Sequence, residues 1–200
     1  MIPQESKSDR TRRYIIERTA PVFNAKGFSG TSLTDLTQAT GLSKGSIYGN
    51  FESKDEVALA AFDYNFDQVT RYIKSKILAT ENSIDRLLVY PSVYRNFLRI
   101  SFLQTGCPIL NTSVEADDTH PALRLRAANA LTFWRKSVEN QVKRGIALKE
   151  INDQTNPSQV AVVLTSIIEG AVMQAKVTGK SAELRIAMEF LEKFINQLKR

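Results

Sequence analysis

Apolar residues recur along this chain at three- and four-residue steps, and no segment alternates apolar and polar positions as a half-buried strand does. The predicted fold class is therefore all-α. Ile15, Ile16, Thr19/Ala20 and Val22/Phe23 fall on one face of a helix from Ser8 to about Lys26, after a loose tail over 1–7, and Gly27 ends it. A second helix starts near Thr31-Ser32, where Ser32 and Asp35 have capping-box spacing, and runs to about Ala39 before Gly41 breaks it. Ser43 caps a third, very short helix through Tyr48. Ser53-x-x-Glu56 repeats the capping box, and a long helix to about Leu78 follows, striped by Val57, Ala60/Ala61, Tyr64, Val69, Tyr72/Ile73 and Ile77.

A fifth helix is predicted over roughly Ser83 to Phe102, bent or broken near Pro91. Residues 105–120 are the least regular, with at most a short helix after Pro108. Leu123, Ala127, Leu131, Trp134, Val138 and Val142 place a helix from about Pro121 to Lys149. Asn156-Pro157 supplies an N-cap and first-turn proline for a helix to about Thr178, Gly179 stops it, and a last helix runs from Ser181 to about Lys199. About nine helices result. A boundary near residue 50 separates a compact helix-turn-helix unit, 8–52, from a larger helical domain, 53–200, with the fourth helix joining them.

Charge sharpens this picture only in part. The net charge of +6 and pI near 9.5 invite a polyanionic partner. Residues 1–51 hold seven Lys/Arg against four Asp/Glu, half of the excess in a quarter of the length, although a basic surface is also what a merely solvated face looks like. The N-terminus has no apolar core of a secretory signal, and no stretch approaches the roughly 18 uncharged apolar residues of a membrane span. A single cysteine, Cys107, makes no internal disulfide, so a cytoplasmic protein without membrane contact is expected.

The chemistry lies in TGLSKGSIYGNFESKDE, Thr40 to Glu56. Two short helices joined by a four-residue turn containing Gly41 form the helix-turn-helix pattern, with Leu33, Leu36, Leu42 and Ile47 placed for burial. Lys44, Gly45 and Ser46 then face outward, small enough for a major groove about 12 Å wide, and Lys44 can reach a base edge or phosphate. Tyr48 can set its hydroxyl on a phosphate, Phe51 is expected buried, and Lys54 lies in the first turn of the next helix, where a cation beside free N–H groups suits a phosphate oxygen. Capping alone also explains Ser43, Ser46 and Ser53; the combination, not any one residue, favours DNA.

From about Arg12 to Ala61 the chain closely resembles the DNA-binding domain of tetracycline-repressor-type (TetR-like) bacterial regulators, above all in GLSKGSIYGNF followed by SK. The resemblance implies that the third helix enters the major groove through Ser43, Lys44, Gly45, Ser46, Tyr48 and Asn50, with phosphate contacts at Thr31, Ser32, Tyr48 and Lys54. Thr37 and Thr40 stand where the family usually has alanine, and their hydroxyls are expected to bond back within their own helix. Gly49-Asn50 replaces a common ring residue and histidine.

One such helix reads few bases, so selectivity demands a homodimer on two half-sites of a double-stranded operator. The last two helices, about 157–199, are expected to form a two-fold four-helix interface: Gln159–Val177 is apolar on nearly every side, and Leu184, Ala187/Met188, Leu191, Phe194/Ile195 and Leu198 line the final helix. Filling the monomer's core is the plainer alternative. The resemblance also implies a pocket between about 60 and 150 for an unidentified small-molecule effector, whose binding shifts the fourth helix and the spacing of the two heads. Tyr72, Tyr94, Phe97, Phe102, Phe133, Trp134 and Met173 are its candidate lining. Cys107, after Gly106 and before Pro108, is a candidate electrophile sensor if a lysine such as Lys176 lowers its pKa, and an inert core thiol otherwise.

An enzyme fits poorly. There is one histidine, His120, which reads as a helix entry, and no phosphate loop, metal-ligand cluster or cofactor motif. Glu169 and the acidic run over 115–118 read as solvated or pocket chemistry at most. The third reading is a helical adaptor that keeps the DNA-binding shape without using it. The expectation is a ligand-responsive transcriptional regulator, most simply a repressor released from a palindromic operator by a small molecule or reactive electrophile.

Overall fold

The computed structural model describes residues 6–200, most of them α-helical. Ser6 caps α1 (Lys7–Gly30) through a capping box with Asp9, so the helix begins inside the stretch expected as tail; residues 1–5 lie outside the described residues. Gly27 interrupts α1 at φ 73°, where a side-chain-bearing residue is strained, so the regular helix ends where the glycine predicts and one more turn follows at a new angle. Next come α2 (Leu33–Thr40), α3 (Lys44–Tyr48) and α4 (Lys54–Leu78). The capping box before α4 is half formed. Ser53 takes the Glu56 N–H, but the Glu56 carboxylate bonds the Glu52 N–H and Arg12 instead of closing on Ser53.

The body consists of α5 (Ser83–Arg95), α6 (Pro108–Ala116), α7 (Pro121–Ala147), α8 (Pro157–Thr178) and α9 (Ala182–Asn196). α5 continues unbroken through Pro91 and stops at Asn96, short of the expected Phe102, followed by two 3₁₀ turns, Phe97–Arg99 and Ser101–Leu103. Pro91 is buried, and the packing of its ring offsets the one backbone bond it removes.

Two apolar clusters organise the chain. Ile15, Leu36, Ile47, Phe51 and Val57 centre the smaller one under α1–α3, and the larger is built jointly by helices α4 to α9. α4 serves both, with Val57, Ala58 and Ala61 in the first and Val69, Ile73 and Ile77 in the second. By length and composition α8 is apolar enough to cross a membrane, with a mean hydropathy of 1.6, although Glu169 and Lys176 interrupt it. Val160, Leu164, Ile168 and Val172 point it into the core, while Val162, Met173 and Val177 remain outside.

Candidate functional site

The recognition element is built from its caps inward. Gly41 turns the chain in the left-handed region at φ 68°, delivering Ser43 to cap α3 by accepting the Ser46 N–H at 3.2 Å. Ile47 is fully buried and pins α3 to the head, so Ser43, Lys44 and Gly45 on the opposite face are exposed, with Ser46 and Tyr48 half-buried at its edges. Thr37 and Thr40 bond back to Thr34 and Leu36 as their sequence positions imply, and the turn keeps its shape. Tyr14 braces that turn by donating to the Thr40 carbonyl at 2.9 Å.

The other proposed DNA contacts divide. Thr31 is completely buried and donates to the Gly27 carbonyl at 2.6 Å, which removes its side chain from phosphate contact and gives it the task of fixing the α1 kink. Ser32 is exposed, but Asp35 already occupies the anion position at this helix start: its carboxylate takes the Ser32 N–H and hydroxyl, both at 2.8 Å. Lys26, 2.5 Å away, and those Ser32 bonds hold Asp35 well below the usual carboxylate range. Asn50 is committed as well. Its amide donates to the Ser46 carbonyl at 2.9 Å, and its own carbonyl accepts from Arg12, so it closes the end of α3 onto α1. Lys54 sits 4.3 Å over the Phe28 ring, a cation–π contact that holds its ammonium at the start of α4.

In the body, α4, α5, α7 and the start of α6 enclose a cavity of about 310 Å³. Four of the expected residues line it: Tyr94, Cys107, Phe133 and Trp134. Four do not. Tyr72 packs against Phe102 at 5.6 Å on another side of α4, Phe97 is buried in the core, and Met173 is exposed on α8. Sequence reasoning missed Phe66, Ile73, Lys74, Arg86, Tyr90 and Gln141. Phe66, Val69, Ile73 and Ile77 recur at helical spacing, but a cavity wall and a packed core write the same pattern.

Cys107 does not gain a reactive thiolate from Lys176. Burial, then the neighbouring Glu169 carboxyl, push the thiol well above its ordinary value, and Tyr94 is its hydroxyl neighbour at 3.8 Å. Lys176 instead donates to Asn111 at 2.9 Å and lies against Gly106, whose φ of 100° and closeness to that lysine leave no room for a side chain. Glu169 has both oxygens sealed from solvent with no hydrogen-bond partner of normal geometry, and burial raises it to about 7.

A polar bridge joins cavity and head. Cys107 and Ile109 at the start of α6 line the cavity, and the following turns of the same helix grip α1. Asn111 donates to the Asn24 backbone carbonyl and side chain at 3.0 and 3.1 Å, and Asn24 donates to the Gly106 carbonyl at 3.1 Å. Glu115 accepts the Phe28 and Ser29 N–H groups, freed by the Gly27 kink, at 2.8 and 2.7 Å. His120 caps α7 as expected and reaches Asp55 on α4 at 3.0 Å. The sequence signal for this bridge was the acidic run over 115–118, read there as solvated.

Comparison with known proteins agrees with both halves. The pattern "Bacterial regulatory proteins, tetR family" matches residues 15–61, and "Tetracyclin repressor-like, C-terminal domain" matches residues 83–191. A TetR-family transcriptional regulator from Cytophaga hutchinsonii is 47% identical, with 98% of each chain covered and a TM-score of 0.93. A TetR transcriptional regulator from Chloroflexus aurantiacus is 36% identical over 97% of this chain and 98% of that one, with a TM-score of 0.91. The transcriptional repressor DhaR of Mycobacterium sp. is 27% identical, covering 83% of this chain and 82% of its own.

Proposed function

This chain belongs to the tetracycline-repressor family of bacterial transcriptional regulators, and on that premise we propose that it is a homodimeric repressor, released from a palindromic operator when a small molecule fills the cavity between α4, α5 and α7. The observation that carries the reading is α3 itself, whose buried Ile47 forces Ser43, Lys44 and Gly45 outward as a narrow polar ridge. Such a ridge fits a major groove, and a pair of them reads half-sites about 34 Å apart. The exposed apolar residues Val162, Met173 and Val177 of α8 and Ile186 and Phe190 of α9 support pairing through these two helices, because a partner copy would cover them.

The α6 bridge gives the cavity a mechanical route to the head. A ligand that displaces Cys107 and Ile109 also moves Asn111 and Glu115, and with them the end of α1. It weakens DNA binding to the extent that it prefers the displaced arrangement. Of the two effector kinds, a molecule that fills space is favoured over an electrophile, because the Cys107 thiol is buried and held protonated.

A gel shift with the DNA upstream of neighbouring genes tests the reading. Affinity should fall steeply with salt and retain sequence preference at low salt, and Lys44→Ala should alter preference within each half-site. Binding without any preference would support an adaptor instead, and equal loss on operator and random DNA would reduce Lys44 to a phosphate contact. Cys107→Ser should respond to oxidants and quinones as the wild type does.

A further inference from the structure

The two ends of the cavity differ in chemistry. Its inner end is aromatic and apolar, with Tyr94 and Trp134 stacked at 5.5 Å beside Cys107. Its outer end lies between the last turns of α4 and the first of α5 and carries two cations, Lys74 and Arg86. Among the described residues neither has an acid in an ion pair. Lys74 is exposed, and Arg86 reaches only the Thr80 carbonyl, through two nitrogens at 3.4 Å each. Glu150, whose carboxyl feels Arg86, is already held by the Ser83 N–H at 2.7 Å and by Arg144 at 3.6 Å.

We propose that the effector is an apolar, ring-bearing carboxylic acid, with its ring among the aromatic side chains of the inner half and its carboxylate between Lys74 and Arg86. This rests on the cavity being the effector site and adds the charge of its occupant. A cationic ligand would meet two like charges at the mouth, and a neutral one would leave both cations unused. A carboxylate accepts from the guanidinium and ammonium together, in charge-assisted bonds stronger than neutral ones. Tyr90, Tyr94, Phe133 and Trp134 offer ring faces and edges that an aromatic body can match. The volume, about 310 Å³, lies at the lower end of small-molecule sites and suits a compact acid.

Trp134 is the chain's single tryptophan, so its fluorescence reports occupancy of the cavity directly. The full-length protein is titrated with phenylacetate and with its neutral isostere phenylacetamide, in the wild type and in the Lys74→Gln/Arg86→Gln double variant. Wild type should bind the acid about tenfold more tightly than the amide. The double variant should lose that ratio, retain its amide affinity and keep the wild-type circular dichroism. Equal affinities in wild type, or an acid preference that survives both substitutions, would overturn the anion assignment while leaving the cavity a ligand site. Saturable binding of neither probe would overturn the cavity reading along with it.

Discussion

The head and the body solve the burial of polar groups in opposite ways. Around α1–α3, serines, threonines and acids close on one another. Ser6 with Asp9, Ser32 with Asp35, Ser43 with Ser46 and Thr40 with Leu36 leave the short helices capped. Among the described residues, no buried side-chain nitrogen or oxygen without a partner belongs to this region. The body holds such atoms on Trp134, Arg135 and Gln141 of α7 and on Glu169 of α8. A reading head must present one fixed shape to DNA, and full internal satisfaction supplies that rigidity. A sensor must move between arrangements instead, and incomplete pairing leaves the body freer to do so.

The strongest way to break this contrast is to make the head incomplete. Ile47→Asp buries a charge among Ile15, Leu36 and Phe51 and should cost at least about 4 kcal/mol, abolishing operator binding. Trp134 fluorescence should remain that of the folded body. A variant that still binds operator would show that α3 does not depend on its anchor.

Completing the body should have the opposite sign. Glu169 rises to about 7 from the ordinary 4.5, so the native state holds its proton more tightly than the unfolded chain does. Stability is therefore lost as pH climbs between those two values and is constant in this respect above them. The loss amounts to at most about 3 kcal/mol. Glu169→Gln should gain on wild type by that margin between pH 5 and pH 8 in urea unfolding. A difference between the two proteins that is the same at both pH values would mean the carboxylate is solvated.

Between the regions, Glu115→Ala strips the Phe28 and Ser29 N–H groups of their shared acceptor. It should cost about 2 kcal/mol and speed hydrogen exchange at those two amides. Unchanged exchange there would mean that the kink is held by Thr31 alone. The smallest effect is expected at the rim. Lys54→Ala should weaken binding to all DNA sequences alike, by about fivefold, and lower the salt slope by about one. A change in base preference would place Lys54 at a base edge.

How much was legible in the sequence follows the distance over which each feature is decided. The helices, the Gly41 turn, the caps at Ser32, Ser43 and Asn156, and the outward face of α3 were readable because propensity, capping and periodicity act within a few residues. The motif from Gly41 to Lys54 carried the family for the same reason. What only the tertiary structure decided concerns residues far apart in the chain. Thr31 turned out to be a buried brace, and Asn50 a clasp between α3 and α1. Glu115 found its amides 87 and 86 residues away. Cavity and core could not be separated by pattern, since Phe66 and Ile73 on α4 would be apolar in either role. The reactivity of Cys107 likewise depended on Glu169 and on burial, not on Gly106 and Pro108 beside it. Local geometry is set by neighbours in sequence, whereas desolvation and pairing are set by whatever the fold brings within a few ångströms.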